Sequence, residues 1–249
     1  VNPLILDTRK EPSSDIITEA KNLGIEIKFS YVVVAAKGYK KVKSADIAKI
    51  SDNKKDLSNI ENIECDCICV SGFWTPSIHL ASQSGNKSEF NEKIDAFIPK
   101  KSKQKENTIG SANGKFTLEE TINEAFNKGY EVSNKITENN NKVSVPTVVE
   151  KKSTEHDKFW CVPLPKGKSY KRFLDFQNDV AVTDIELALR EGFRSIEHVK
   201  RYTTLGMATD QGKTSNLNGL QLVSDIENKV VPQVGHTTFR PPYTPVSIG

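Results

Sequence analysis

Leu4-Ile5-Leu6-Asp7, the segment Ser13 to Leu23, and Ile25-Glu26-Ile27-Lys28-Phe29 read in order as strand, helix and strand, and this order decides the fold class. The first run is apolar and ends in an acid. Ser13, Ser14 or Asp15 supplies a side-chain oxygen for a free N–H at a helix start. The helix carries Ile16, Ile17, Ala20 and Leu23 on one side, the repeat of a 3.6-residue turn. Gly24 stops it, because glycine takes the left-handed conformation that closes helices. Ile25 to Phe29 alternates apolar and polar, as a half-buried strand does. Two more apolar runs follow, Tyr31 to Ala36 and Cys65 to Val70. Strand, helix, strand predicts a parallel sheet with helices packed on it, an α/β fold.

Further along, residues 86–110 are rich in Lys, Asn and Ser, interrupted by Ala96-Phe97-Ile98. Ile109 to Gly114 then precedes a helical pattern of Leu118, Ile122, Ala125 and Phe126, which Gly129 is expected to close. Residues 133–158 are almost wholly polar, with Asn139-Asn140-Asn141 at the centre, and read as an exposed linker or insertion. A second unit begins near Phe173. Thr183-Asp184-Ile185-Glu186 has the form of a capping box, opening a helix with Ile185, Ala188 and Leu189 inward and Gly192 at its end. Ser195 is placed to cap a short helix with Ile196 and Val199 inward. Gly206 to Gly212 reads as a loop, and Leu217, Leu220, Val223 and Ile226 mark a third helix. The tail from Thr237 to Pro245 holds three prolines and reads as an extended connector.

The chain has 249 residues, enough for two small domains. It starts at Val1 and stops at Gly249 in a proline-containing run, and is expected to be an internal segment of a longer protein. A formal net charge of only +3 gives no reason to expect nucleic acid or an anionic membrane as partner. No apolar run approaches the roughly 20 residues of a membrane span. Cys65, Cys67 and Cys69 alternate, so on a strand they share one face. They lack the Cys-x-x-Cys spacing of metal turns. With Cys161 they read as buried structural thiols, which implies a reducing, cytoplasmic setting.

Three groups of residues have the right types for cofactor contact. Asp7, with Arg9 beside it, sits where a doubly wound nucleotide fold places a ribose-binding acid; an ordinary solvated turn is the other reading. Gly110-Ser111-Ala112-Asn113-Gly114 stands directly before a helix. Small residues there let backbone N–H groups approach a pyrophosphate, or simply make a glycine turn. Lys200, Arg201 and Lys213 flank a loop rich in Thr and Gly, either to hold a phosphate or as a charged helix end. The histidines, His79, His156, His198 and His236, have no metal-ligand spacing. No nucleophile, acid–base pair or metal site is assigned.

Several strings together carry a family resemblance. Ser71-Gly72-Phe73-Trp74-Thr75-Pro76-Ser77-Ile78-His79-Leu80-Ala81-Ser82-Gln83 resembles a string of sarcosine oxidase α subunits, where a Gly usually stands at the Phe73 position. Phe173 to Val180, Glu191 to Thr204 and Gly206 to Thr214 resemble three more. Thr238-Phe239-Arg240-Pro241-Pro242-Tyr243 resembles the lead-in to the family's folate-binding aminomethyltransferase domain. The resemblance covers nearly the whole chain outside the polar linker.

The resemblance implies a layout. Residues 1–132 would close a two-dinucleotide-binding, Rossmann-like FAD/NAD(P)-type domain, with 133–170 a polar linker. Residues 171–230 would form a small helical module of [2Fe–2S] type, and 231–249 a connector to a folate-binding domain. Asn113, Leu118 and Glu120 would fall near bound NAD, although Ala is common in the family at Asn113. Gly110, Ala112 and Gly114 would lend backbone. The module's four cluster-ligand positions fall on Asp175, Gln177, Asp210 and Ser215, none of them Cys, so no iron–sulfur cluster is expected.

The implied enzyme is an oxidoreductase acting on CH–NH donors. It converts sarcosine to glycine with hydrogen peroxide and 5,10-methylenetetrahydrofolate. NAD would bind the α subunit, FMN the α/β boundary, FAD the β subunit, and tetrahydrofolate the downstream domain. β, γ and δ subunits would be partners, and the fragment alone inactive. A subunit of a related proline or N-methyl amino acid dehydrogenase, or a non-catalytic assembly domain, are the alternatives.

Overall fold

The first strand, helix and strand form as read. β1 (Leu4–Asp7), α1 (Asp15–Asn22) and β2 (Glu26–Phe29) make a right-sized βαβ unit in which the two strands pair in parallel, Leu4 opposite Glu26 and Asp7 opposite Phe29. The computed structural model describes residues 2–12, 14–72, 74–100, 102–137, 144–148, 158–241 and 244–248. Expectations resting on Ser13, Phe73, Asn139 to Asn141, His156, Pro242 and Tyr243 lie outside these residues. Of the cap candidates, Ser14 acts: its hydroxyl accepts the Ile17 N–H at 3.3 Å. The apolar side of α1 is less covered than its periodicity predicts. Ile17 and Ala20 are half-buried, but Ile16 is 78% and Leu23 73% exposed.

Beyond β2 the strands form a separate sheet that is not parallel. β3 (Tyr31–Gly38), β4 (Val42–Ile50) and β5 (Leu57–Glu64) form an antiparallel meander with β4 central. Sequence reading missed β4 and β5 because Lys, Asp, Asn and Glu interrupt their apolar positions. The centre of β4 is nevertheless buried at Ala45, Asp46, Ile47 and Ala48. The Asp46 carboxylate is satisfied there by Lys37 Nζ at 2.7 Å, Asn62 Nδ2 at 2.8 Å and the Tyr170 hydroxyl at 3.3 Å. Those partners hold its pKa below the ordinary carboxylate value, the bonds from Lys37 and then Asn62 outweighing burial. A charge can occupy a central strand when its lone pairs are taken.

The Cys65 to Val70 run is a further correction. β5 ends at Glu64, and residues 65–72 have no regular structure. Cys67 and Cys69 are exposed, not buried, and Cys65 is half-buried. Cys-Asp-Cys-Ile-Cys has no flanking partner strand, so alternation there marks no sheet face.

The chain divides into two compact units, one of Val1–Gly72 with Ser153–Phe173, the other of Phe73–Lys152 with Leu174–Gly249. In the second, α2 (His79–Gln83) leads to a hairpin of β6 (Ser88–Asn91) and β7 (Ala96–Pro99), which the short run Ala96-Phe97-Ile98 only hinted at. A 3₁₀ turn at Gly110–Asn113 precedes α3 (Leu118–Thr137). Gly129 does not close α3; the helix runs on through it, because Glu131, Val132, Asn134 and Lys135 continue a helical surface that a single glycine weakens by only about 1 kcal/mol.

Short strands β8 (Phe173–Asp175) and β9 (Val180–Ala181) lead into α4 (Val182–Arg190), α5 (Ile196–Thr203), α6 (Asn216–Glu227) and the brief α7 (Val231–Val234). The core of this cluster is Ile185, Ala188, Ile196, Val199, Leu205, Leu220 and Val223, all buried. Ile185, Val199 and Val223 are fully so, each burial contributing roughly 1.5–3 kcal/mol. The capping acid of α4 is displaced from the expected box: Asp184 Oδ2 accepts the Ala181 N–H at 2.8 Å, so Thr183 is inside the helix. Ser195 precedes α5 without a side-chain cap.

Candidate functional site

At the end of β1, Asp7 and Arg9 engage each other. Arg9 donates from its backbone N–H to Asp7 Oδ1 at 2.9 Å, from Nε at 3.0 Å, and from its terminal nitrogen to Oδ2 at 2.7 Å. Burial raises the Asp7 pKa, but the Arg9 hydrogen bonds and charge outweigh it and hold the group below the ordinary value. The fork of Arg9 thus occupies both carboxylate oxygens.

The glycine segment before α3 is built around a residue that sequence reading passed over. Glu124, one and a half turns into the helix, accepts the Gly110 N–H at 2.7 Å and the Asn113 side-chain amide at 2.6 Å. Gly114 has φ +76°, and a Cβ there would meet Ile94 Cδ1 at 2.6 Å and Ile98 Cγ2 at 3.1 Å, so the backbone needs glycine for both conformation and space. Ala112 lies in the same turn. Leu118 is exposed at the first turn of α3. Glu120 pairs with Thr117: its N–H donates to the Thr117 hydroxyl oxygen at 3.2 Å, and that hydroxyl donates to Glu120 Oε2 at 3.0 Å. Thr117 thereby caps the first turn of α3 through its hydroxyl. A carboxylate three residues into a sequence Thr-x-x-Glu was the signal available for it.

The basic residues near the helical cluster separate. Lys200 is half-buried in the last turn of α5, where burial pulls its pKa down. Arg201 is exposed, 3.8 Å from Glu197 one turn earlier. Lys213 instead lines a small cleft of about 50 Å³, open to solvent, together with Phe97, Asn216, Leu220, His236 and Phe239. Asn216 is only 5% exposed, and neither atom of its amide has a hydrogen-bond partner. Gly206 and Gly212 face it so closely that a side chain at either would overlap the amide. His79 is buried and stacks on Phe239, ring centroids 3.7 Å apart. Burial, and then the Lys213 charge, lower its pKa to about 4, so it is neutral at pH 7. The cleft has largely apolar walls and one cation at its edge.

Beside the cleft, the residues at the expected cluster-ligand positions join a hydrogen-bonded loop. Asp175 Oδ1 accepts the Gln177 N–H at 2.9 Å and the Asn178 N–H at 3.2 Å; Oδ2 accepts the Gly206 N–H at 2.8 Å. Gln177 Oε1 accepts the Thr209 hydroxyl at 2.9 Å and the Asp210 N–H at 3.3 Å. Asp210 in turn accepts from Gly212 and Thr214. Ser215 is fully buried. Among the described residues, no three His, Cys, Asp or Glu side chains converge as a metal site, and no helix is long and apolar enough to cross a membrane.

Comparison with known proteins places the chain. Residues 169–249 match the family described as the sarcosine oxidase A3 domain. The chain is 37% identical over 194 residues to sarcosine oxidase subunit alpha of Rhizobium meliloti (strain 1021), covering 76% of this chain and 19% of that protein. It is 33% identical over 219 residues to the subunit alpha of Corynebacterium sp. (strain U-96), covering 82% and 22%. The chain therefore spans about a fifth of the length of these relatives. In structure it resembles L-proline dehydrogenase from P. horikoshii, with a TM-score of 0.56 and 18% identity over 98% of this chain and 49% of that one. That likeness is one of fold.

Proposed function

The chain is homologous to sarcosine oxidase alpha subunits, and from this premise we propose that it serves as a cofactor-binding and docking part of an α subunit in a heterotetrameric sarcosine oxidase. The assembly would transfer two electrons from the N-methyl group of sarcosine to a flavin and on to oxygen. Glycine and hydrogen peroxide leave, and the one-carbon unit passes to tetrahydrofolate as 5,10-methylenetetrahydrofolate. The substrate chemistry belongs to FAD in the β subunit and to a folate-binding domain beyond this stretch.

What supports the reading is the sequence likeness along three quarters of the chain, together with the A3 match that covers the helical cluster. In the finer assignment, residues 1–132 close a Rossmann-like FAD/NAD(P)-type domain, 133–170 link, 171–230 form a [2Fe–2S]-type module without a cluster, and 231–249 lead onward. Gly110, Ala112, Asn113, Gly114, Leu118 and Glu120 would stand at the NAD; Asp7 and Arg9, in the other unit, are separate candidates for a nucleotide contact. Lys213, on the cleft, serves the phosphate of FMN at the boundary with β, and Lys200 and Arg201 add positive charge to that face. γ and δ complete the assembly in the cytoplasm.

The test is made on the full subunit co-expressed with its three partners. Sarcosine-dependent oxygen uptake with peroxide formation, and capture of the carbon by tetrahydrofolate, is the expected result. An assembly that oxidises L-proline and leaves sarcosine untouched overturns the reading. Stoichiometric iron in the purified α subunit overturns the cluster-free module.

A further inference from the structure

The segment that follows β5 carries chemistry that neither the core nor the cleft uses. Cys67 and Cys69 are exposed, and their sulfur atoms lie 3.8 Å apart. At that distance one thiol can donate a weak hydrogen bond to the other. No strand or helix holds residues 65–72, so the backbone between them has no ladder of hydrogen bonds to break when the sulfurs approach. A disulfide needs about 2.05 Å between sulfurs, which side-chain rotation and a small loop adjustment can supply. Cys65 is different in kind: its N–H donates to the Lys43 carbonyl at 3.1 Å, anchoring it to the end of the meander, and it is half-buried. Cys161 lies elsewhere in the chain and has its own contact, Arg172 at 3.3 Å from its sulfur. Two sulfurs without a third ligand do not make a closed zinc site, but they make the minimal pair for thiol oxidation.

We propose that Cys67 and Cys69 are an oxidation site, a dithiol that a peroxide closes to an intramolecular disulfide. One thiol ionises and its thiolate attacks a peroxide oxygen; the O–O bond breaks, the sulfur becomes a sulfenic acid, and the departing hydroxide takes up the proton that this thiol released and leaves as water. The second thiol attacks the sulfenic sulfur; the S–S bond forms, the S–O bond breaks, and a second water leaves. The two sulfurs together give up two electrons and the peroxide accepts them. The resolving thiol is already in van der Waals range, so the sulfenic acid is captured before further oxidation.

The measurement is thiol counting and peptide mass on the reduced chain after treatment with hydrogen peroxide. Trypsin leaves all three clustered cysteines in one peptide, from Asp56 to Lys87. The expected result is loss of two of the four free thiols and of two hydrogen masses from that peptide. Cys65→Ser should close as the parent does. Cys67→Ser and Cys69→Ser should not close, and should gain oxygen on the remaining thiol instead. Dithiothreitol should restore the original mass. The proposal is overturned if the parent peptide gains only oxygen, if closure requires Cys65, or if peroxide yields only disulfide-linked dimers. The parent chain alone decides the first and third outcomes, so the test does not depend on the variants folding.

Discussion

The Asp175 carboxylate accepts the Gly206 N–H at 2.8 Å across 31 residues, and with its other oxygen holds the turn at Gln177 and Asn178. One acid therefore ties β8 to the loop between α5 and α6. Gln177, through Thr209 and Asp210, makes a second tie to the same loop. Side-chain acceptors and backbone donors thus hold these segments of the helical cluster together.

Asp175→Ala should therefore destabilise the protein markedly. Three backbone N–H groups lose their acceptor, and the Gly206 donor is buried. A buried group left unsatisfied costs about 1–3 kcal/mol. Urea denaturation should show a lower midpoint with an unchanged slope. Asp175→Asn keeps one oxygen and should lose less.

Glu124 gives a test of the glycine segment. Its carboxylate takes the Gly110 N–H and repels any anion that approaches the turn. Glu124→Gln removes the charge and, with the Asn113 amide rotated, preserves both hydrogen bonds. In the full subunit, NAD should bind more tightly to Glu124→Gln than to the parent, by calorimetric titration. Unchanged affinity would place the dinucleotide away from Gly110. Glu124→Leu should instead cost about 1–3 kcal/mol of stability, because the Gly110 donor loses its partner.

These two acids also show what was legible from residues alone. The βαβ start, the cap at Ser14 and the three main helices of the cluster were readable, because local periodicity and capping chemistry act within a few residues. β4 and β5 were not. Their burial comes from the partners that Asp46 and its neighbours find across the meander, which no local pattern encodes. The cysteine run misled for the same reason in reverse: alternation without a partner strand has no face. At the candidate site, Lys213 was visible as a basic residue beside a glycine loop. Asn216 was hidden inside the apolar period of α6, and Glu124 inside that of α3. Their importance comes from long-range closure against Gly212 and Gly110.

The Asp7–Arg9 pair has a sign that can be reversed. Burial alone raises the Asp7 pKa, and Arg9 more than offsets it. In Arg9→Ala, carbon-detected NMR titration of Asp7 should move from below the ordinary value of about 3.9 to above it. For the parent, the folded pKa is depressed. Its contribution to stability is thus complete above the unfolded value of about 4 and is lost as pH falls through the lower folded value. Arg9→Ala should lack this acid-side loss.

His79 sets a different window. Its folded pKa of about 4 lies below the ordinary histidine value of 6.5, so the unfolded chain takes up a proton first as pH falls. Stability should be full above about pH 6.5 and decline between there and pH 4, with a limiting slope of about 1.4 kcal/mol per pH unit from this group. His236, also lowered by burial though opposed by Glu197, acts in the same direction. His79→Phe keeps an aromatic ring against Phe239 and removes the titration. Denaturation midpoints at pH 7 and pH 5 should then differ less in His79→Phe than in the parent. An equal difference in both would mean that His79 is protonated against Phe239 at pH 5, and that burial does not hold it neutral.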